Sequence, residues 1–237
     1  MTAVDPSARI GAIASLAEPT RRALYLYVHA QQAPVSRDEA AAGVGVPRHT
    51  AKFHLDKLAG DGLLEVEFAR RTGRRGPGAG RPAKLYRPAT REFAVTLPER
   101  RYELAAQLMA RAISDARSGD IPVADALHAA ARGHGHLIGD QALGEAGASP
   151  SDTALLAATR SVLDQEGYDA RGDLAGLIFA NCPFGALTAV HADVICGMNL
   201  SIMEGLLDRL GQLPLAPVCE PARGRCCIRL AGAGSRA

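Results

Sequence analysis

The sequence predicts an α+β protein in two parts: helices closed by a β-hairpin first, then an α+β unit that carries every cysteine. Three observations predict it. Apolar residues make up 47% of the 237 and aromatic residues 4%, with no tryptophan, so the core is drawn from Leu, Ile, Val and Ala and helices dominate. Residues 1–100 hold 16 Lys/Arg against 10 Asp/Glu, and residues 101–237 hold 11 against 15. A basic module joined to an acidic one implies two different partners. Finally, the first 181 residues lack cysteine, and Cys182, Cys196, Cys219, Cys226 and Cys227 crowd into the remainder. The division expected is 1–92, a connecting helix over 93–120, and 121–237.

The elements of the first part follow in order. "PTRRALYLYVHAQ" (19–31) sets Ala23, Leu24, Tyr27 and Val28 at helical spacing behind Pro19. A second helix starts after Ser36, a good N-cap, and stops at the Gly43–Gly45 region. A third occupies 47–64, with Ala51, Leu55 and Leu58 facing inward. Two short helices joined by a tight Gly-containing turn fit a helix-turn-helix. The outward positions of the third helix carry Arg48, His49, Thr50, Lys52, Phe53 and Lys57, suited to guanine edges and phosphates. Strands are expected at 63–69 and 83–89, around a tip rich in Gly, Pro and Arg. Between Glu67 and Glu92 lie eight basic residues and no acidic one. Arg70, Arg71, Arg74, Arg75, Arg81 and Lys84 of this hairpin are candidates for contacting a phosphate backbone. Each feature alone fits an ordinary solvated surface, but their order within 90 residues favours DNA binding.

"VPRHTAKFHLDKLAGDGLLEVE" followed by "GRPAKLYRP" resembles the winged-helix domain of bacterial repressors of the ArsR/DeoR-like superfamily, over roughly residues 10–90. The resemblance implies a winged helix-turn-helix fold and binding to a double-stranded DNA operator, without saying what is sensed.

Residues 97–117 read as a long helix with Leu97, Leu104, Leu108, Ala112 and Ile113 on one stripe, a pairing surface for a homodimer. The alternative is that this stripe packs into its own C-terminal unit. His128, His134 and His136 are read as structural or solvent-facing, since His134 and His136 diverge on a helix. No apolar run reaches the roughly 18 residues of a membrane span, and the N-terminus lacks a signal-peptide pattern, so a cytoplasmic protein without membrane contact is expected.

In the last part a helix is expected over 151–166, then a hairpin around Gly172 whose second strand, 174–181, runs into Cys182. Pro183 suits the first turn of a helix, which puts Cys182 at its N-cap, where the dipole favours thiolate. A further helix over 193–210 places Cys196 on an inward stripe with Leu200, Met203 and Leu207. "CCIRL" reads as a terminal strand, so Cys226 and Cys227 should face opposite ways and supply one ligand between them. If that strand pairs with 174–181, Cys182, Cys196 and one of the final pair, Cys226 or Cys227, converge, and Cys219 is a further candidate. Thirteen and 29 residues separate these three cysteines and no CxxC pair exists, so the site is built by tertiary structure. Soft thiolates without histidine favour an iron–sulfur cluster or, second, zinc. The residues alone also leave open a thiol redox switch and simple burial. Enzymatic use of Cys182 is not expected: His191 lies nine residues on, about 13 Å away by helical rise.

A winged helix followed by cysteines at this spacing also resembles SufR-type repressors. That resemblance implies a homodimeric repressor holding an iron–sulfur cluster, of [4Fe–4S] type, on Cys182, Cys196 and Cys226. The rival reading is a regulator that senses a small apolar ligand, or oxidants through thiols, with no cluster.

Overall fold

The computed structural model describes residues 6–69 and 82–232. The fold is α+β and divides into two compact units, Met1–Val95 and Thr96–Ala237.

The first unit runs α1 (Pro6–Ser15), α2 (Pro19–His29), β1 (Val35–Ser36), α3 (Arg37–Val44), α4 (Arg48–Gly60), β2 (Leu64–Ala69) and β3 (Ala83–Pro88). Local chemistry fixes the helix starts. The Glu18 carboxylate accepts from the Thr20 and Arg21 amides at 3.0 and 2.6 Å, ahead of Pro19. Ser36 and Glu39 form a reciprocal capping box that opens α3. Gly45 closes α3 in the left-handed region at φ 73°, the tight turn that leads into α4. The strands form an antiparallel sheet in the order β1-β3-β2, with Val66 opposite Tyr86. Leu24, Val28, Ala40, Ala51, Leu55, Leu58 and Tyr86 are buried in one core. Helix α1 and strand β1 were not expected: α1 buries only Ala12 in that core, and β1 is two residues long. The hairpin tip, including Arg70, Arg71, Arg74, Arg75 and Arg81, lies outside the described residues.

The second unit contains α5 (Tyr102–Gly119), α6 (Val123–Ala146), α7 (Asp152–Gln165), β4 (Ala170–Asp173), β5 (Gly176–Phe179), α8 (Gly185–Thr188), α9 (Ala192–Leu210), β6 (Leu215–Cys219) and β7 (Ile228–Gly232). Its antiparallel sheet has the order β4-β5-β7-β6, so the last strand does pair with the strand ahead of Cys182. Helix α5 begins at Tyr102 rather than near Leu97. The preceding residues are instead tied down individually: the Arg100 amide donates to Thr96 Oγ1 at 2.8 Å, and the Arg101 amide to the Pro183 carbonyl at 2.9 Å. Ala105, Leu108, Ala112 and Ala116 of α5 join the core of this unit, whereas Leu97 and Ile113 are exposed.

Helices α6 and α9 meet through glycine. A Cβ on Gly135 would lie 2.0 Å from the Ile202 carbonyl oxygen, and one on Gly205 would lie 2.1 Å from that of Arg132. The pair therefore packs backbone to backbone, which only a missing side chain permits. Among the described residues no helix is long and apolar enough to cross a membrane.

Candidate functional site

In the first unit the site is the outer face of α4. Ala51, Leu55 and Leu58 anchor the helix in the core, which turns the intervening positions outward. Arg48, His49, Lys52, Phe53 and Lys57 are exposed and Thr50 is half-buried. Phe53 keeps 65% of its surface exposed, its ring meeting His54 edge-on with centroids 5.2 Å apart. An exposed aromatic among cations suits contact with a base edge or thymine methyl. Arg48 forms an ion pair with Asp38 of α3, and Lys57 one with Asp61 at 2.7 Å. Lys84 is tied into the fold: its ammonium meets Asp56 Oδ1 at 2.5 Å, and Tyr86 donates its hydroxyl to the same oxygen at 2.7 Å. Burial works against the Asp56 carboxylate, but these two hydrogen bonds outweigh it and hold its pKa below the usual carboxylate range.

In the second unit the fold brings the cysteines together. Each is a free thiol. Cys182 follows β5 at the corner before α8, and Cys226, 2% exposed, lies just ahead of β7. The Cys182 and Cys226 thiols lie near enough to act on each other's charge. Cys196, on the first turns of α9, interacts electrostatically with Cys227. Cys219, exposed at the end of β6, interacts electrostatically with Cys227 and Cys196.

The electrostatics differ across the group. The Cys226 thiol, the Phe184 amide and the Arg100 charge together lower Cys182 to about 7. The Cys182 sulfur and then burial push Cys226 up. Burial, followed by Cys227, raises Cys196 to about 12.

Three expectations need correcting here. Cys182 is not the N-cap of a helix: α8 is only four residues long, is capped at Phe184, and starts three positions after Cys182. Its thiolate preference comes from the Cys226 thiol, one amide and one guanidinium instead. Cys196 does not face the centre of the core, because Ile195, Met198, Asn199 and Ile202 take that face and leave Cys196 at its margin. The strand expected to hold Cys226 and Cys227 does not reach them, because β7 starts only at Ile228, so strand alternation does not set their directions.

Several residues around the thiols gave no warning. Asn199 Nδ2 and the Ile228 amide both donate to Cys226 Sγ at 3.4 Å. The buried Tyr168 hydroxyl donates to Asn199 Oδ1 at 2.6 Å, which orients the amide. Arg100 donates to the Asn181 carboxamide oxygen at 2.5 Å and to the Cys182 carbonyl at 2.6 Å. Asn199 could have been suspected from its place three residues after Cys196, but Arg100, 82 positions from Cys182, carries no local signal. Of the three histidines set aside as structural, His134 lies 3.8 Å from Glu166 and His136 lies 3.9 Å from Asp208. Among the described residues no group of three or more His, Cys, Asp or Glu side chains could hold a metal ion.

The comparisons with curated proteins and with solved structures found no match. Residues 16–67, spanning α2 to β2, match the family model described as a helix-turn-helix domain, which supports a DNA-binding transcriptional regulator.

Proposed function

We propose that the chain is a repressor whose hold on its operator is controlled by an iron–sulfur cluster on the cysteines of the second unit, working as a homodimer. The observation that carries this reading is the gathering of thiols spread over residues 182–227 into one mutually interacting group. Burial alone would not bring them together. The donors are thiols without histidine, soft ligands that suit an iron–sulfur centre. Cys182, Cys196 and Cys226 would hold the cluster, and when bound it supplies a charge and redox state that report on oxidants and iron supply.

The chain's own residues prepare for such a group. The amides of Phe184 and Ile228 and the Asn199 carboxamide point donors at sulfur, and the Arg100 charge favours thiolate at Cys182. Control of DNA binding then follows from linkage: a centre that binds one DNA-binding state better than the other must change operator affinity by the same factor. Repression by the loaded form is what the resemblance to SufR-type repressors implies. A homodimer would place two α4 helices on a two-fold symmetric site.

The experiment is anaerobic purification followed by iron and sulfide analysis. The reading expects a brown protein with both elements bound and visible absorption lost in Cys182→Ala. Protein that stays colourless after anaerobic incubation with iron and sulfide would sink it.

A second reading is favoured by the lowered pKa of Cys182 beside Cys226, a free thiol like it. A peroxide would oxidise the Cys182 thiolate to sulfenic acid, and the Cys226 thiol would displace water to give a disulfide. Metal-free protein whose DNA affinity changes on peroxide treatment and recovers with dithiothreitol would favour this reading over the cluster.

A further inference from the structure

The chain passes from the first unit to the second between Val95 and Thr96, and α5 begins only at Tyr102. None of the residues from Thr96 to Tyr102 is buried, and Leu97 keeps 84% of its surface exposed. The first buried residue of α5 is Ala105. Polar contacts, not apolar burial, therefore hold the connecting segment to the second unit.

Those contacts converge on the corner after β5 that carries Cys182. Arg100 Nη1 donates to the Asn181 carboxamide oxygen at 2.5 Å and to the Cys182 carbonyl at 2.6 Å. Asn181 Nδ2 donates in turn to the Glu99 carbonyl at 3.0 Å and to the Gly167 carbonyl at 2.5 Å. The Arg101 amide donates to the Pro183 carbonyl at 2.9 Å, and the Ala186 amide to the Tyr102 hydroxyl at 3.4 Å. Gly185 leaves room for the guanidinium, since a Cβ there would stand 3.2 Å from Arg100 Cζ. Arg101 adds a second anchor at the end of α7, donating to the Gln165 carbonyl at 3.1 Å and pairing with Glu166 at 2.8 Å. Residues 99–102 thus grip residues 181–186 one after another. The Cys182 carbonyl also accepts from the Gly185 amide at 3.0 Å, so a shift of Cys182 moves the turn that Arg100 holds. A segment fixed by hydrogen bonds alone, with no apolar area buried, opens far more readily than the core beside it.

We propose that residues 99–102 form a clasp on the 181–186 corner, and that a change at the Cys182 sulfur which displaces this corner opens the clasp and frees the segment leading to the DNA-binding unit. The clasp itself stands on the hydrogen bonds. Its effect on DNA rests on the reading that the cysteines of the second unit control operator affinity, whatever group they carry.

The test uses the full chain with Cys196→Ser, Cys219→Ser and Cys227→Ser, which leaves Cys182 as the accessible thiol beside buried Cys226. This protein is compared before and after reaction with N-ethylmaleimide, with peptide mass spectrometry to place the single adduct at Cys182. The readouts are amide hydrogen exchange and anisotropy on duplexes enriched from a random pool. The adduct should speed exchange over residues 99–102 and 181–186 at least about tenfold, leave residues 198–206 of α9 at their own rate, and change DNA affinity. Arg100→Ala in the same background should exchange fast at the clasp without the adduct and gain little more with it. Unchanged exchange at residues 99–102 in the adduct overturns the clasp. Faster exchange spread equally into α9 also overturns it, since that is general loosening. An opened clasp with unchanged DNA affinity defeats the reading that Cys182 governs DNA binding and leaves the clasp standing. Should circular dichroism show the triple variant unfolded, wild type carrying one adduct mapped to Cys182 gives the same two readouts.

Discussion

Cys226 shows how much of a sulfur site is decided by residues that are not sulfur. Its sulfur accepts from Asn199, and Asn199 is held by a buried Tyr168 hydroxyl. Replacing Asn199 by Leu would strand that hydroxyl in the core, a loss of roughly 1–3 kcal/mol. Urea unfolding of metal-free protein should show this drop for Asn199→Leu and a smaller one for Tyr168→Phe. Asp56 supports a pH prediction. Its folded pKa lies below its unfolded value, so the unfolded chain takes up the proton first as pH falls. The contribution is complete above the ordinary carboxylate range near about 4 and is lost below it. In Asp56→Asn the acid limb of the stability profile should flatten, which thermal melts at pH 3 to 7 would reveal. Not all of this was legible beforehand. Ser36, Glu39, Ala51, Leu55 and Leu58 announce themselves through capping and period, because those rules act within a turn or two of helix. Arg100 and Asn181 meet across 81 positions, and no local rule carries that far.

Among the elements, the α6–α9 pair is the clearest case of structure resting on absent atoms. Gly135 and Gly205 each face a carbonyl oxygen at a distance no Cβ tolerates, whereas Gly133 and Gly144 of the same α6 have nothing within 4 Å. Gly135→Ala and Gly205→Ala should each destabilise by about 3 kcal/mol or more, since the helices must separate. Gly133→Ala should instead stabilise by about 0.5–1 kcal/mol by improving helix propensity. Opposite signs of the change in urea midpoint would check this; equal effects would refute the seam. Helix α6 itself escaped the sequence reading because its buried stripe is made mostly of Ala and Gly, a weak apolar signal that follows from packing through glycine. The terminal strand read from "CCIRL" is there but starts two residues later, at Ile228, because a pattern of alternation does not say where pairing begins. On α4, Arg48→Ala and Lys52→Ala should weaken DNA binding several-fold, with circular dichroism unchanged.

At the scale of the whole molecule, the two units differ in charge as the sequence suggested. A basic unit with a helix-turn-helix precedes an acidic unit that holds the thiols. Replacing both Arg74 and Arg75 by Ala should reduce the salt dependence of DNA binding by about 2 in the log–log slope, with little change in sequence preference. Gel shifts across a salt series measure this, and an unchanged slope would remove these arginines from the interface. The central claim is that the state of the cysteine site sets DNA affinity. It is tested most directly by fluorescence anisotropy on duplexes enriched from a random pool, comparing protein loaded anaerobically with iron and sulfide against the same protein stripped by chelation. The account predicts that affinity differs at least about fivefold between the two states and that Cys182→Ala abolishes the difference. Equal affinity of loaded and stripped protein for the same duplexes would contradict it.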